Sequence, residues 1–160
     1  MGRRPPDQTI DRSYPLTQQF RNQSWSARYG AMGDEAEEQF EILREGKFAR
    51  YGLNRPPINM GMIPAMLRYT PDYITSHGLV EVQGVGRDRI LKIKKEKAEA
   101  LNRWHKEFSL QMFVWDSTNR QYAFIPWEDL AVVLPTLPVD SFPEGKEYWK
   151  LNVDEWVWPD

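Results

Sequence analysis

Apolar and polar positions divide the chain into a regular series of elements. Between Gly33 and Glu45, Ala36, Phe40 and Leu43 recur at i, i+4 and i+7, which predicts a helix with one apolar face. Asp34, Glu35, Glu37 and Glu38 crowd its expected first turns, where the helix dipole favours negative charge, and Gly46 is placed to stop it. Phe48 to Gly52 predicts a short strand. Asn54-Arg55-Pro56-Pro57 must be loop, and the apolar residues from Met60 to Leu67 show no clear period. Residues 53–70 therefore read as an insertion over the sheet, with a helical turn near Pro64 and methionines as filler. Tyr73-Ile74, the turn residues Ser76-His77-Gly78 and the alternation from Leu79 to Gln83 predict a hairpin. Ile90 to Ile93 is strand-like, and Lys94 to Phe108 is a helix that buries Ala98, Leu101, Trp104 and Phe108. Leu110 to Trp115 is a strongly apolar strand, Asp116-Ser117-Thr118-Asn119 a turn, and Gln121 to Ile125 the returning strand. Trp127 to Leu130 opens a short helix that Pro135 and Pro138 end.

The ends differ from this middle. Residues 1–32 are polar, with five arginines against two aspartates, and read either as a loosely ordered N-terminal arm or as a basic arm touching a DNA backbone or a partner subunit, with Tyr14, Phe20, Trp25 and Tyr29 available to pin parts of it to the body. Residues 138–160 are acidic, with six acids against two lysines, and read as an extended tail clamped by Trp149, Trp156 and Trp158. Residues 33–137 are then one domain, and 160 residues are enough for one buried core. The net charge of −2 means that nucleic-acid binding would need a local basic patch. The absence of cysteine removes disulfides, thiol catalysis and cysteine-based zinc sites, and fits a reducing cytoplasm. No apolar run approaches a membrane span. With only His77 in a turn and His105 on a helix, a histidine-based metal site is not expected.

The hairpin carries the chemistry. With Thr75 to Gly78 as a four-residue loop, Ile74 pairs with Leu79 and Asp72 lies opposite Glu81. Two carboxylates facing across strands repel unless neutralised, and a hard divalent cation on Asp72, Glu81 and the Val82 carbonyl is the usual remedy. Glu37, beside the apolar stripe of the first helix, either complements the dipole or reaches under the sheet toward that metal. From Arg87 to Lys97, six basic residues stand against two acidic ones, the one dense positive run in the chain. It is either a solvated face or a set of phosphate contacts.

Pro71-Asp72, then Glu81-Val82-Gln83, resembles the signature of the PD-(D/E)XK nuclease superfamily, with glutamine in the lysine slot. Gly33 to Phe40 is similar to the opening helix of archaeal-type Holliday junction resolvases, Leu79 to Gln83 to their Ile-Glu-Val-Lys strand, Ile90 to Leu101 to the following strand and helix, and Ile125 to Leu130 to the closing segment. The resemblance implies an α/β, restriction-endonuclease-like α-β-β-β-α-β core, a mixed central sheet flanked by helices. It implies Mg2+- or Mn2+-dependent hydrolysis of DNA phosphodiesters, structure-selective, in phage or bacterial recombination, by a cytoplasmic homodimer acting on branched DNA with no organic cofactor. Asp72 and Glu81 with Val82 would hold the metal, Glu37 would hold a second metal or orient water, and Gln83 would hydrogen-bond the nucleophile. Arg87, Arg89, Lys92, Lys94 and Lys95 would contact phosphates. Gln83 lacks the family's positive charge, and Lys97 is the expected substitute, with Lys94 and Lys95 next in line. Two alternatives stay open. One is a catalytically degenerate nuclease fold that binds nucleic acid or a protein. The other is a sequence-specific endonuclease, for which no dedicated reading element is visible.

Overall fold

The structure is a computed structural model that describes residues 27–52, 64–156 and 158. Helix α1 spans Ala27–Leu43, strand β1 Ala49–Arg50, and the single turn α2 Ala65–Arg68. The hairpin follows as β2 (Tyr73–Thr75) and β3 (Gly78–Val85), then β4 (Ile90–Lys94) and helix α3 (Lys95–Glu107). Strands β5 (Leu110–Asp116) and β6 (Gln121–Pro126) lead into helix α4 (Trp127–Val133) and a 3-10 turn at Leu134–Thr136. Strands β7 (Val139–Ser141) and β8 (Glu147–Asn152) follow, and then a 3-10 turn at Val153–Glu155.

The fold is α/β. A five-stranded mixed sheet runs β1-β2-β3-β5-β6, and a second sheet runs β4-β8-β7. Among the described strands, β3 and β5 pair in parallel and the other pairs are antiparallel. The alternation read from the sequence sorts side chains onto two faces. Phe40 and Ala36 of α1 pack on Tyr73, Val80, Phe113 and Trp115, while Leu79, Val85, Leu110, Met112 and Val114 face Ala98 and Leu101 of α3. β5 is buried along nearly its whole length, as its apolar run from Met112 to Trp115 requires of a central strand. Gly78 locks the register of the parallel pair. Its φ of 121° and the Ser109 carbonyl beside it leave no room for a Cβ, and Leu79 N–H donates to that carbonyl at 2.7 Å.

Several expectations change. Helix α1 starts six residues before Gly33, so Asp34, Glu35, Glu37 and Glu38 sit away from its first turn and the dipole does not explain them. The rest of the expected arm, residues 1–26, lies outside the described residues, as do positions 53–63 of the expected insertion. The helical turn near Pro64 is present, but it packs on α3: Trp104 Nε1–H donates to the Met66 carbonyl at 3.0 Å. The hairpin loop is shorter than expected, with Thr75 paired to Gly78 around Ser76-His77, yet Ile74 pairs with Leu79 as expected. Phe108 leaves the helix in an extended conformation and is half exposed, so it does not join the buried face. β4 joins the second sheet, and the expected tail supplies its partner β8, with Trp149, Trp156 and Trp158 packed against the core. Isolated strands of five or six residues gain their stability from this pairing, which no local pattern announces. Among the described residues, no helix is long and apolar enough to cross a membrane.

Candidate active site

The site is built on the β2–β3 hairpin. Tyr73 pairs with Val80, and the next step of the same register sets Asp72 opposite Glu81. Backbone contacts hold Asp72 in place: its carbonyl accepts from Tyr51 N–H at 2.8 Å and Gly52 N–H at 3.2 Å. Gly52 has to be glycine here, because a Cβ would lie 2.7 Å from the Pro71 carbonyl oxygen. Asp72 Oδ2 accepts from Val82 N–H at 2.8 Å, so Val82 anchors the aspartate directly. Burial first, then the Glu81 carboxylate, then Glu37, push the Asp72 pKa well above the usual aspartate range. The Val82 N–H and Lys97 pull the other way without cancelling this.

Lys97, from the first turn of α3, meets this pair. Its ammonium lies 2.6 Å from Glu81 Oε2 and donates to Gln83 Oε1 at 3.3 Å. Gln83 is itself fixed, its Nε2–H donating to the Lys92 carbonyl at 2.6 Å. Burial works against the Lys97 charge, but the Glu81 carboxylate outweighs it and holds the pKa above the ordinary lysine value. The other carboxylate oxygen, Glu81 Oε1, is buried with no hydrogen-bond partner. A buried, unpaired carboxylate oxygen is costly, and a second cation is one way to satisfy it.

Glu37 is close but engaged elsewhere. Arg50 of β1 donates to Glu37 Oε1 at 2.6 Å, lies 3.5 Å from Glu41 Oε2 and stacks 4.5 Å above the Tyr73 ring. Tyr73 O–H in turn donates to Glu41 at 2.5 Å. Among the described residues, no group of three or more His, Cys, Asp or Glu side chains is arranged to hold a metal. The three-carboxylate cage that Glu37 would complete is not formed, and the Glu81 oxygen without a hydrogen-bond partner is the one that Lys97 does not hold. Arg50 is the residue that sequence reasoning missed. It follows Ala49 in a two-residue strand whose partner lies more than twenty positions away, and no periodicity reveals such a register.

The basic run separates into different roles. Arg89 has φ 61° and directs its guanidinium onto both oxygens of the fully buried Asp116 and onto Asp154. This engages its donors within the fold, so Arg89 is removed from the expected phosphate contacts. Burial opposes the Asp116 charge, but hydrogen bonds from Arg89, Gln121 and Asn119 outweigh it and hold its pKa at about 2. Asp116 therefore stabilises the fold fully above the ordinary aspartate pKa of 3.8, and that contribution is lost as the pH falls through about 2. Arg89→Ala is expected to cost about 2 kcal/mol, tempered by the hydrogen bonds that Asp116 keeps, and urea unfolding at pH 7 measures it. Lys92 and Lys94 alternate with buried Leu91 and Ile93 on the outer face of β4. Lys92 meets Asp88 at 3.1 Å, Lys94 lies 5.2 Å from the Phe142 ring, and Lys95 meets Glu147 at 3.1 Å. Arg87 is exposed in the β3–β4 loop. The run is thus a strand face rather than a continuous patch at the carboxylates.

No family model, no characterised protein and no solved structure matches this chain.

Proposed function

We propose that the protein is a metal-dependent endonuclease of the PD-(D/E)XK kind, acting on DNA, with branched substrates the expected preference. The observation that carries this reading is the convergence of Asp72, immediately before β2, Glu81 on β3 and Lys97 in the first turn of α3. The order α1-β1-β2-β3-α3-β5, with β1 to β3 antiparallel and β5 parallel to β3, supports the restriction-endonuclease-like core; the single turn α2 and strand β4 are additions to it, and β4 belongs to the second sheet. Asp72 and Glu81 would hold Mg2+ or Mn2+, with the Val82 carbonyl as a third oxygen donor. The metal would supply Lewis acidity and a more acidic bound water. Lys97 holds positive charge beside the carboxylates, and Gln83 orients that ammonium. Glu37 keeps its role of orienting water only where Arg50 releases it.

The degenerate alternative has its own support. Lys97 already neutralises Glu81, Arg50 already holds Glu37, and glutamine stands in the lysine slot. One assay separates the two: incubation with a labelled four-way junction, linear duplex, single strand and RNA under Mg2+, Mn2+ or EDTA. Cleavage with either metal and none in EDTA supports the nuclease. Binding without cleavage under every condition gives the molecule to the degenerate reading. Nucleic-acid contact then rests on Lys92, Lys94 and Lys95 with Arg87. Charge reversal at Lys92 and Lys94 is expected to weaken binding evenly across sequences and to lower the salt slope by about two. An unchanged slope in filter-binding titrations makes that strand face a solvated surface.

A further inference from the structure

The opposite face of the central sheet carries a second collection of polar groups at the tip of the hairpin. A cavity of about 100 Å³ is lined by Arg44, Lys47, Thr75, Ser76, His77 and Gln111, over Val80 and Phe124. Val80 packs with Phe113 on the α1 side, whereas Leu79, two residues from Glu81 on the same strand, packs on the α3 side. The cavity is therefore separate from the carboxylate pair. It has room for a small oxyanion.

The lining is one-sided in chemistry. Arg44, Lys47, Ser76, His77 and Gln111 can all donate hydrogen bonds, and no carboxylate lines the cavity. Thr75 is already spent, its hydroxyl donating to the Gly78 carbonyl and accepting from His77 N–H. Among the described residues, neither Arg44 nor Lys47 lies within ion-pair distance of a carboxylate. The Arg44 guanidinium stacks 4.4 Å above the Phe124 ring, which fixes its plane and leaves its N–H edge for a ligand. Gly46, at φ 71°, reverses the chain after α1 and carries Lys47 back to the same cavity. The negative end of the α1 dipole accounts for cations at this position. It does not account for their meeting the hydroxyl, imidazole and amide donors of two other elements.

We infer that this cavity binds a phosphate group, presented either as free phosphate or by a nucleic-acid backbone. The inference does not rest on the nuclease reading. Arg44 supplies a planar fork, Lys47 a mobile point charge, and Ser76 and Gln111 neutral donors, a set that can meet the several acceptor oxygens of a phosphate at once.

The test is an amide chemical-shift titration of the full-length 15N-labelled protein. Sodium phosphate is one arm, a short single-stranded oligodeoxynucleotide the second, and sodium chloride at matched ionic strength the control. Phosphate is expected to move the Lys47, Ser76, His77 and Gly78 amides saturably, and chloride is not. Lys47→Gln and Arg44→Gln should each weaken that response about tenfold, the loss of one charge-assisted contact. Lys47 is exposed, so its variant stays folded even if Arg44→Gln, which leaves the Phe124 ring, does not. If the oligonucleotide moves the same amides and loses affinity in the same variants, the source is a nucleic-acid backbone. If only inorganic phosphate does so, the ligand is the free anion. Equal responses to phosphate and chloride, or unaltered phosphate binding by Lys47→Gln, overturn the assignment.

Discussion

Asp72→Asn is expected to abolish Mg2+-dependent DNA cleavage while raising the melting temperature of the metal-free protein at neutral pH. The two effects have one cause. Asp72 is pushed well above the usual aspartate pKa by burial and by Glu81 and Glu37, so its charge is a burden on the folded state without a cation. A group whose folded pKa is raised supports the fold fully below its unfolded pKa, and that support is lost as the pH rises through the folded value. The advantage of Asp72→Asn should therefore be present at pH 7 and vanish once the pH is below the ordinary aspartate value of 3.8. Asparagine keeps an oxygen that can accept from Val82 N–H, so the hairpin geometry survives. Mg2+ should raise the melting temperature of the native protein and not that of the variant. Glu81→Gln should also stop cleavage, but without the gain in stability, because Lys97 then loses its carboxylate. Full cleavage by either variant, or a melting curve for Asp72→Asn identical to the native one from pH 3 to pH 8, removes the proposed metal site.

Lys97→Met is expected to slow cleavage by about 10²-fold, the amount typical of losing one electrostatic stabiliser. It should also lower stability by about 2 kcal/mol, since Glu81 is left buried without its cation. Folding and chemistry separate through Gln83. The Lys97 ammonium reaches Gln83 Oε1 at 3.3 Å, so a lysine at position 83 has access to the same small volume. Combining Gln83→Lys with Lys97→Met should recover part of the rate, because charge returns to Glu81 from the strand instead of the helix. Gln83→Ala alone should be mild, because Lys97 keeps Glu81. Single-turnover rates on one substrate decide among the outcomes. A neutral Lys97→Met with a severe Gln83→Ala would mean that the glutamine itself acts at the site. Neutral results for both, with cleavage intact, would place the chemistry elsewhere in the molecule.

The hairpin was legible in the sequence because its information is local. The register that sets Asp72 across from Glu81 follows from turn residues and period-two alternation within about a dozen positions, and both survive in the folded chain. Helix α3 and strand β5 were legible for the same reason, since one apolar stripe and one apolar run from Met112 to Trp115 each demand a single kind of burial. Lys97 could be singled out as a substitute cation only through resemblance; that it reaches Glu81 depends on how α3 crosses the sheet, a packing outcome. The placement of β4 was hidden for a different reason. Its alternation of lysines with Leu91 and Ile93 says that one face is buried, but not against which sheet. The partner is β8, more than fifty residues on, in a stretch whose acids and tryptophans suggested a tail. Arg50 and Arg89 show the same limit for charge. An arginine reads alike in the sequence whether its charge faces solvent or carboxylates brought from distant elements, as Arg50 meets Glu37 and Arg89 meets Asp116 and Asp154. Local patterns determine which segments are helix or strand and which face turns inward. Which segments meet, and therefore which charges are neutralised, is decided by long-range burial, whose driving force is non-directional and leaves no local mark in the sequence.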